Sequence, residues 1–197
     1  MARPRLSDDK RRELIDRGAQ LLLSGGFHGT GLKTLLDDVG VPKGSFYNYF
    51  ESKEHFGAEV IREVGRRSVE KLRAQVERFR DGISGLRAFF REQIRGYEAN
   101  PCHGGCLLGA MGNEIAGESK LCREALAARF CDFEETLAKG IAKAQAAGKV
   151  REDLSAEVLG RAIFAAWEGA LIRMKVAGST APLTEFETVF LKGFLAK

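Results

Sequence analysis

Between Cys102 and Cys106 the sequence sets two thiols beside the imidazole of His103, in the segment "NPCHGGCLLGAMGNEIAGESK", which is unusually rich in glycine. Three kinds of chemistry suit such a group. A zinc ion wants four donors and favours the spacing Cys-x-x-Cys. Here the two cysteines stand four apart, with only Cys122 or Glu114 near enough in sequence to add a ligand, so no metal and no cofactor is expected. A thiol can also simply pack as a small apolar group. The third reading is a reactive thiol at Cys106. A cysteine at the start of a glycine-rich helix beside His103 would have its thiolate favoured by the helix dipole and by a protonated imidazole.

A second stretch, "VPKGSFYNYF" from Val41 to Phe50, mixes aromatic rings with polar tips. A buried helix could not satisfy so many hydrogen-bonding groups. Phe46 and Phe50, four residues apart, fall on one face of a short helix and would anchor it. Lys43, Gly44, Ser45, Tyr47, Asn48 and Tyr49 would then face outward, where a basic and aromatic surface suits a DNA groove. Spacing alone leaves a packed corner of two helices as the alternative.

The elements that must position these groups are helical. Apolar residues recur at three- and four-residue steps, and no run of alternating β-branched residues interrupts them. Leu14, Ile15, Ala19, Leu22 and Leu23 trace a first helix that the Gly25-Gly26 pair should stop. Thr30 precedes a short second helix with Leu32, Leu35, Leu36 and Val39 on its apolar face and Gly40 at its end. Pro42 opens a third helix squeezed into the stretch before "ESKE", where Ser52 is a suitable N-cap for a long fourth helix reaching Phe79. Two short helices with a long one across them make a helix-turn-helix unit. Beyond it, Leu86, Phe89, Phe90, Ile94 and Tyr97 mark another helix, and the chain should continue as a helical bundle. The expected fold is all-α with about nine helices: a DNA-binding domain over 1–53 and a sensing and dimerisation domain over 54–197.

Composition agrees with a folded domain of this size: 197 residues, 44% hydrophobic, 29% charged and only 4 prolines. The formal charge of +4 is compatible with nucleic acid without requiring it. The leading "ARPR", with Arg3 and Arg5, either reaches a phosphate backbone or is a solvated terminus. No window of 18 apolar residues and no apolar leader is evident, so the expected location is cytoplasmic, away from any membrane, with Cys102, Cys106, Cys122 and Cys131 as thiols. An enzyme is not expected. Nucleophile-elbow, zincin, dinucleotide-binding and P-loop motifs are all missing, and "HGG" at 103–105 has no serine partner. A helical protein-interaction module without DNA binding is the remaining alternative.

The run "GFHGTGLKTLLDDVGVPKGSFYNYFESKEHF" resembles the DNA-binding segment of the TetR family of bacterial transcriptional repressors. The likeness rests on Gly-Phe closing helix one, Thr opening helix two, Gly-Val in the turn, Lys-Gly-Ser-Phe-Tyr-x-Tyr-Phe, and Ser-Lys-Glu. It implies a repressor that holds a pseudo-palindromic double-stranded operator as a dimer and is released by a small-molecule inducer. It also implies that Lys43, Gly44, Ser45, Tyr47, Asn48 and Tyr49 touch DNA, that Lys33 reaches it from helix two, and that Lys53 meets a phosphate. Family members usually carry Ser or Thr where this chain has Gly31, whose backbone N–H would serve instead.

"GGCLLGAMGNEIAGESKLCREAL" and "AAWEGALIRMKV" are similar to a subgroup that answers to small electrophiles or short unsaturated acids, with a cysteine at the position of Cys106. The inducer would sit among Phe89, Phe90, Tyr97, Cys106, Met111, Trp167 and Glu168, either held without a bond or attached covalently to Cys106. Apolar residues surround much of the helix from Ala156 to Val176, and Phe186, Val189, Phe190 and Phe194 give the last helix an aromatic face. That surplus suits a homodimer through the two C-terminal helices.

Overall fold

The computed structural model describes residues 5–99 and 105–196, with side chains from Asp8 onward. The first three residues of the "ARPR" arm, Cys102 and His103 therefore lie outside the described residues, and Arg5 begins the first helix. Among the described residues every regular element is helical, and none of the helices is long and apolar enough to cross a membrane. The helices are α1 (Arg5–Gly29), α2 (Leu32–Val39), α3 (Lys43–Phe46), α4 (Lys53–Arg78), α5 (Ile83–Tyr97), α6 (Leu107–Ile115), α7 (Lys120–Ala146), α8 (Ala156–Ala177) and α9 (Ala181–Phe186). The last runs on as a π-helical segment, Glu187–Phe194.

The helices pack as two compact units that do not follow chain order. One holds the chain up to Gly65 together with Leu107–Arg129, and the other holds Arg66–Cys106 and the chain from Phe130 onward. The chain thus passes between units inside α4, at the Cys106–Leu107 bond, and inside α7.

In the first unit, α1, α2 and α3 form the expected three-helix arrangement. Gly40 takes the left-handed conformation (φ 63°), and the amide of Val41 reaches the Leu36 carbonyl at 3.0 Å. This closes α2 and turns the chain into α3 within two residues. Lys10 of α1 donates to the Val39 carbonyl at 3.1 Å, holding the same turn from the other side. Ser52 caps α4 as expected, accepting from the His55 amide at 3.0 Å.

Two local expectations are corrected. Thr30 does not open α2: its hydroxyl donates backwards to the carbonyls of Gly26 (2.7 Å) and Leu21 (3.1 Å), so it closes α1, and Gly31 is the N-cap of α2 with no side-chain bond. Nor does the glycine pair stop α1. Gly26 breaks the helix with φ 72° and ψ 173°, after which helical structure resumes to Gly29.

The second unit is a bundle of α5, the flanking parts of α4 and α7, α8 and α9. Its core runs through Leu72, Leu86, Phe90, Leu137, Leu159, Ile163 and Met174. Aromatic rings continue that core outward: Phe186 meets Phe90 at 5.0 Å and Trp167 at 5.2 Å, then stacks on Phe190 at 5.6 Å, which meets Phe194 at 5.9 Å. The aromatic face of the C-terminal segment therefore closes the subunit's own core. Arg91 fixes that segment to α5 by donating twice to the buried carboxylate of Glu187 (2.6 and 2.9 Å).

The buried half of α3 decides its stability. Phe46 is fully buried against Phe50 (5.3 Å) and Phe56 (5.7 Å), whereas Tyr47 is 52% exposed. Phe46→Ala is expected to cost about 3 kcal/mol or more in chemical denaturation, and Tyr47→Ala to leave the midpoint within about 0.5 kcal/mol.

Candidate DNA interface and ligand site

α3 and the turn after it present Lys43, Gly44, Tyr47 and Asn48 exposed, with Ser45 and Tyr49 half-buried beside them. Phe46 and Phe50 are buried beneath them, with the rings of Tyr47 and Tyr49 lying against Phe46 and Phe50 at 5.5 and 6.4 Å. Lys33 is exposed on α2, and the N-terminal amides of that helix follow Gly31, itself exposed.

Lys53 is placed differently from its neighbours. Its ammonium donates to the Phe27 carbonyl at 2.6 Å and lies 4.6 Å from the centre of the Phe27 ring. Burial lowers its pKa from the ordinary lysine value, against the opposing pull of Glu54 and Glu114. The side chain that the family resemblance sets on a phosphate is thus also tied to the end of α1.

Glu114 holds the end of α1 in place, although sequence reasoning weighs it only as a metal ligand. Its carboxylate, on α6, accepts from the backbone amides of Phe27 and His28, both at 2.7 Å. These are the amides that the break at Gly26 leaves without helical partners. A Cβ at Gly26 would lie 2.7 Å from the same carboxylate. Burial works to raise the pKa of Glu114, but the bonds from the His28 and Phe27 amides prevail and hold it below its ordinary value of 4.5. The only signal in the sequence is a Gly-Gly-Phe break with no local capping side chain, and it gives no distance to residue 114.

Among the described residues the cysteines divide sharply. Cys122 is fully buried, its thiol 3.5 Å from the Glu54 carbonyl, and burial pushes its pKa up. Cys131 is exposed with its thiol 3.3 Å from Glu135, whose carboxylate raises its pKa. Both are poor nucleophiles. Cys106 is half-buried directly before Leu107, the first residue of α6. Its thiol hydrogen-bonds Glu168 of α8. Tyr97 stands beside both and donates its hydroxyl to the Gly105 carbonyl at 3.1 Å. Burial, with Cys106 and Glu168 adding to it, pushes the Tyr97 phenol well above its ordinary value, so the group is a neutral donor. Burial also raises the pKa of Glu168, offset only in part by the bond from Cys106, and its Oε1 is buried without a partner.

Of the seven residues expected around an inducer, the structure brings Tyr97, Cys106 and Glu168 together, against the core that holds Phe90 and Trp167, whose rings lie 4.9 Å apart. Phe89 belongs to the same core, its ring 5.2 Å from Phe90 and 5.8 Å from Phe133. Met111 is buried on α6, which belongs to the first unit. Lys175 was not anticipated: a Cβ on Gly105 would lie 3.3 Å from its Nζ. Glu114 and Cys122, the residues that sequence offered as further metal ligands, are each engaged as described above.

Comparison with known proteins is consistent over the whole chain. Residues 14–60 match the family described as "Bacterial regulatory proteins, tetR family", and residues 82–190 match "Tetracyclin repressor-like, C-terminal domain". The HTH-type transcriptional repressor DhaR of Mycobacterium sp. (strain GP1) is 31% identical over 186 residues, covering 94% of this chain and 92% of that protein. The HTH-type transcriptional repressor NemR of Escherichia coli (strain K12) is 30% identical over 187 residues, covering 89% and 88%. The crystal structure of the reduced form of E. coli NemR superposes with a TM-score of 0.80 over 90% of this chain and 94% of that one, at 26% identity. A regulatory protein TetR from Rhodobacter sphaeroides gives 0.84 over 92% and 97%, at 29% identity.

Glu114 supplies a prediction of its own. Glu114→Ala is expected to cost about 1–3 kcal/mol in denaturation, since it strands two amides that now bond a charged acceptor. Because the folded-state pKa lies below the ordinary 4.5, this stabilisation is present above that value and is lost as pH falls through the lower, folded one. An acid titration of stability should show that loss in the wild type and not in Glu114→Ala.

Proposed function

Because the chain belongs to the TetR family of bacterial regulatory proteins, we propose that it represses transcription as a homodimer on a pseudo-palindromic operator and lets go when a small molecule occupies the Cys106 cluster. Residues 1–53 carry the DNA contacts and 54–197 the sensing and pairing functions, and the protein works in the cytoplasm, where its DNA is. One observation carries the DNA half of this reading. On a single short helix and the turn that follows it, Phe46 and Phe50 are buried while Lys43, Gly44, Tyr47 and Asn48 are exposed. A helix too short to be stable alone is held rigidly by its rings, so its polar face is pre-organised for a groove.

Pairing is supported by α8. Val158, Ala162, Ala165, Gly169, Ile172 and Val176 follow one another at alternating steps of four and three, and all but the half-buried Ala162 are exposed, Ile172 at 56% and Val176 at 85%. That is the spacing of a seam between packed helices, with small residues at its centre to permit close approach. Val189 on the π-helical segment, 55% exposed, lies on the second C-terminal helix and extends the apolar surface. A two-fold pair across these helices buries on each subunit what a lone subunit leaves in water.

For the ligand half, the half-buried thiol of Cys106 with Tyr97 and Glu168 beside it is the polar corner of an otherwise aromatic environment. Occupation of this corner favours a state with a different separation of the two recognition helices, so the inducer binds that state more tightly.

Operator fragments retained from genomic DNA by the purified protein, once sequenced, test the first half. Tyr47→Ala and Lys43→Ala are expected to lose specific binding with helicity intact, and wild-type affinity should fall steeply with salt. Unchanged affinity in Tyr47→Ala, or absence of binding at low salt in the wild type, overturns the assignment. Ile172→Glu combined with Val176→Glu should give monomers by sedimentation and abolish binding to the two-fold site. Cys106→Ser should bind DNA as the wild type does yet ignore a thiol-reactive electrophile such as N-ethylmaleimide, whereas Cys122→Ser and Cys131→Ser should still be released by it. Release of Cys106→Ser as readily as the wild type would leave the thiol a packing group.

A further inference from the structure

The Cys106 cluster contains one group whose chemistry exceeds what a reactive thiol requires. Glu168 places a carboxyl beside the thiol, and one of its oxygens is buried with no partner among the described residues. An orphaned buried acceptor is costly, and such sites are commonly completed by something that binds. Among the described residues no cation acts on Glu168. Tyr97 is neutral and its phenol is acted on by Cys106 and Glu168. Lys175 reaches Gly105 but is itself exposed, where solvent screens it. Any molecule that approaches Cys106 must therefore settle next to an acidic group in a low-dielectric corner, where like charges repel far more strongly than in water.

Resting on the reading of this cluster as the ligand site, we propose that Glu168 sets the charge class of the inducer: the site admits small uncharged electrophiles with a hydrogen-bonding group for the free carboxyl oxygen, and turns away carboxylates of the same size. A carboxylate ligand leaving water here meets a second carboxyl group rather than a cation. The proposal separates the two inducer classes suggested by the sequence, small electrophiles and short unsaturated acids, and chooses the first.

Iodoacetamide and iodoacetate test it on the intact protein, since they carry the same reacting carbon and differ in the charge of the attached group. In each reaction the sulfur of Cys106 forms a bond to that carbon, iodide leaves with the bonding pair, and the thiol proton passes to buffer. The rate of Cys106 modification is followed by peptide mass and divided by the rate of 2-mercaptoethanol with the same reagent. In the wild type the normalised rate with iodoacetate should be at least about tenfold below that with iodoacetamide. In Glu168→Gln, which keeps the shape and removes the charge, the gap should close to within about threefold. Glu168→Met, of similar length and apolar, should do the same should the glutamine variant fold poorly. Equal normalised rates in the wild type overturn the charge selection while leaving the site reading intact. A gap that survives both substitutions shows that another group is responsible and also overturns it. Failure of both reagents to modify Cys106 overturns the site reading and the proposal with it.

Discussion

A glycine break near the end of α1 leaves two backbone amides pointing away from their own helix, and a carboxylate on α6 takes both. The arrangement of the first unit follows from that one contact. By fixing the backbone at Phe27 and His28, Glu114 places the Phe27 carbonyl where Lys53 can reach it and the Phe27 ring against Gly57, where an added Cβ would come within 2.9 Å of the ring. The first turns of α4 are thereby seated, and with them Phe56, whose ring packs on Phe46 and Phe50. The exposed face of α3 is thus the last member of a series that starts at a hydrogen bond on another helix. Each step joins directed polar contacts to close-packed rings, neither of which tolerates a small displacement.

α8 shows how one helix serves two surfaces. Leu159, Ile163, Trp167, Ala170 and Met174 face the core of their own subunit, while the stripe from Val158 to Val176 faces away. A helix apolar on most of its girth is ordinarily buried all round. Here one side meets water in the single chain, and the residues on it are small or β-branched. Leucines and aromatics stay on the inner side. The aromatic residues of the C-terminal segment follow the same economy, packing inward on Phe90 and Trp167 and leaving mostly threonine, glutamate and valine outside.

Much of this was legible before any coordinates. The three-helix unit, the inward placement of Phe46 and Phe50, the cap at Ser52 and the association of Tyr97, Cys106 and Glu168 all follow from periodicity, capping chemistry or resemblance. What escaped has a common physical origin. Thr30 was read as a helix opener because a threonine before an apolar run usually is one, yet its hydroxyl can bond backwards as well as forwards, and here the carbonyls at the end of α1 won. The inward turn of Phe186, Phe190 and Phe194 was missed because a wide aromatic face looks alike in sequence whether it meets its own core or a partner. The bonds of Glu114 and the place of Lys175 escape because the backbone each lies beside is far away in sequence. Periodicity reports which face a residue occupies and is silent about what lies opposite.

Cys106 ends the first stretch of one packing unit, and its peptide bond leads directly into the second stretch of the other. For a regulator of the kind proposed, this junction has a population-level consequence. Coupling free energy between two binding sites belongs equally to both. Whatever factor a reversible occupant of the Cys106 corner subtracts from operator affinity, the operator subtracts from the affinity for that occupant. Molecules resting on their operators are then the less receptive fraction, and those between operators the more receptive. The dose at which transcription begins is consequently not a constant of the protein alone, and shifts with the ratio of regulator copies to operator copies in the cell.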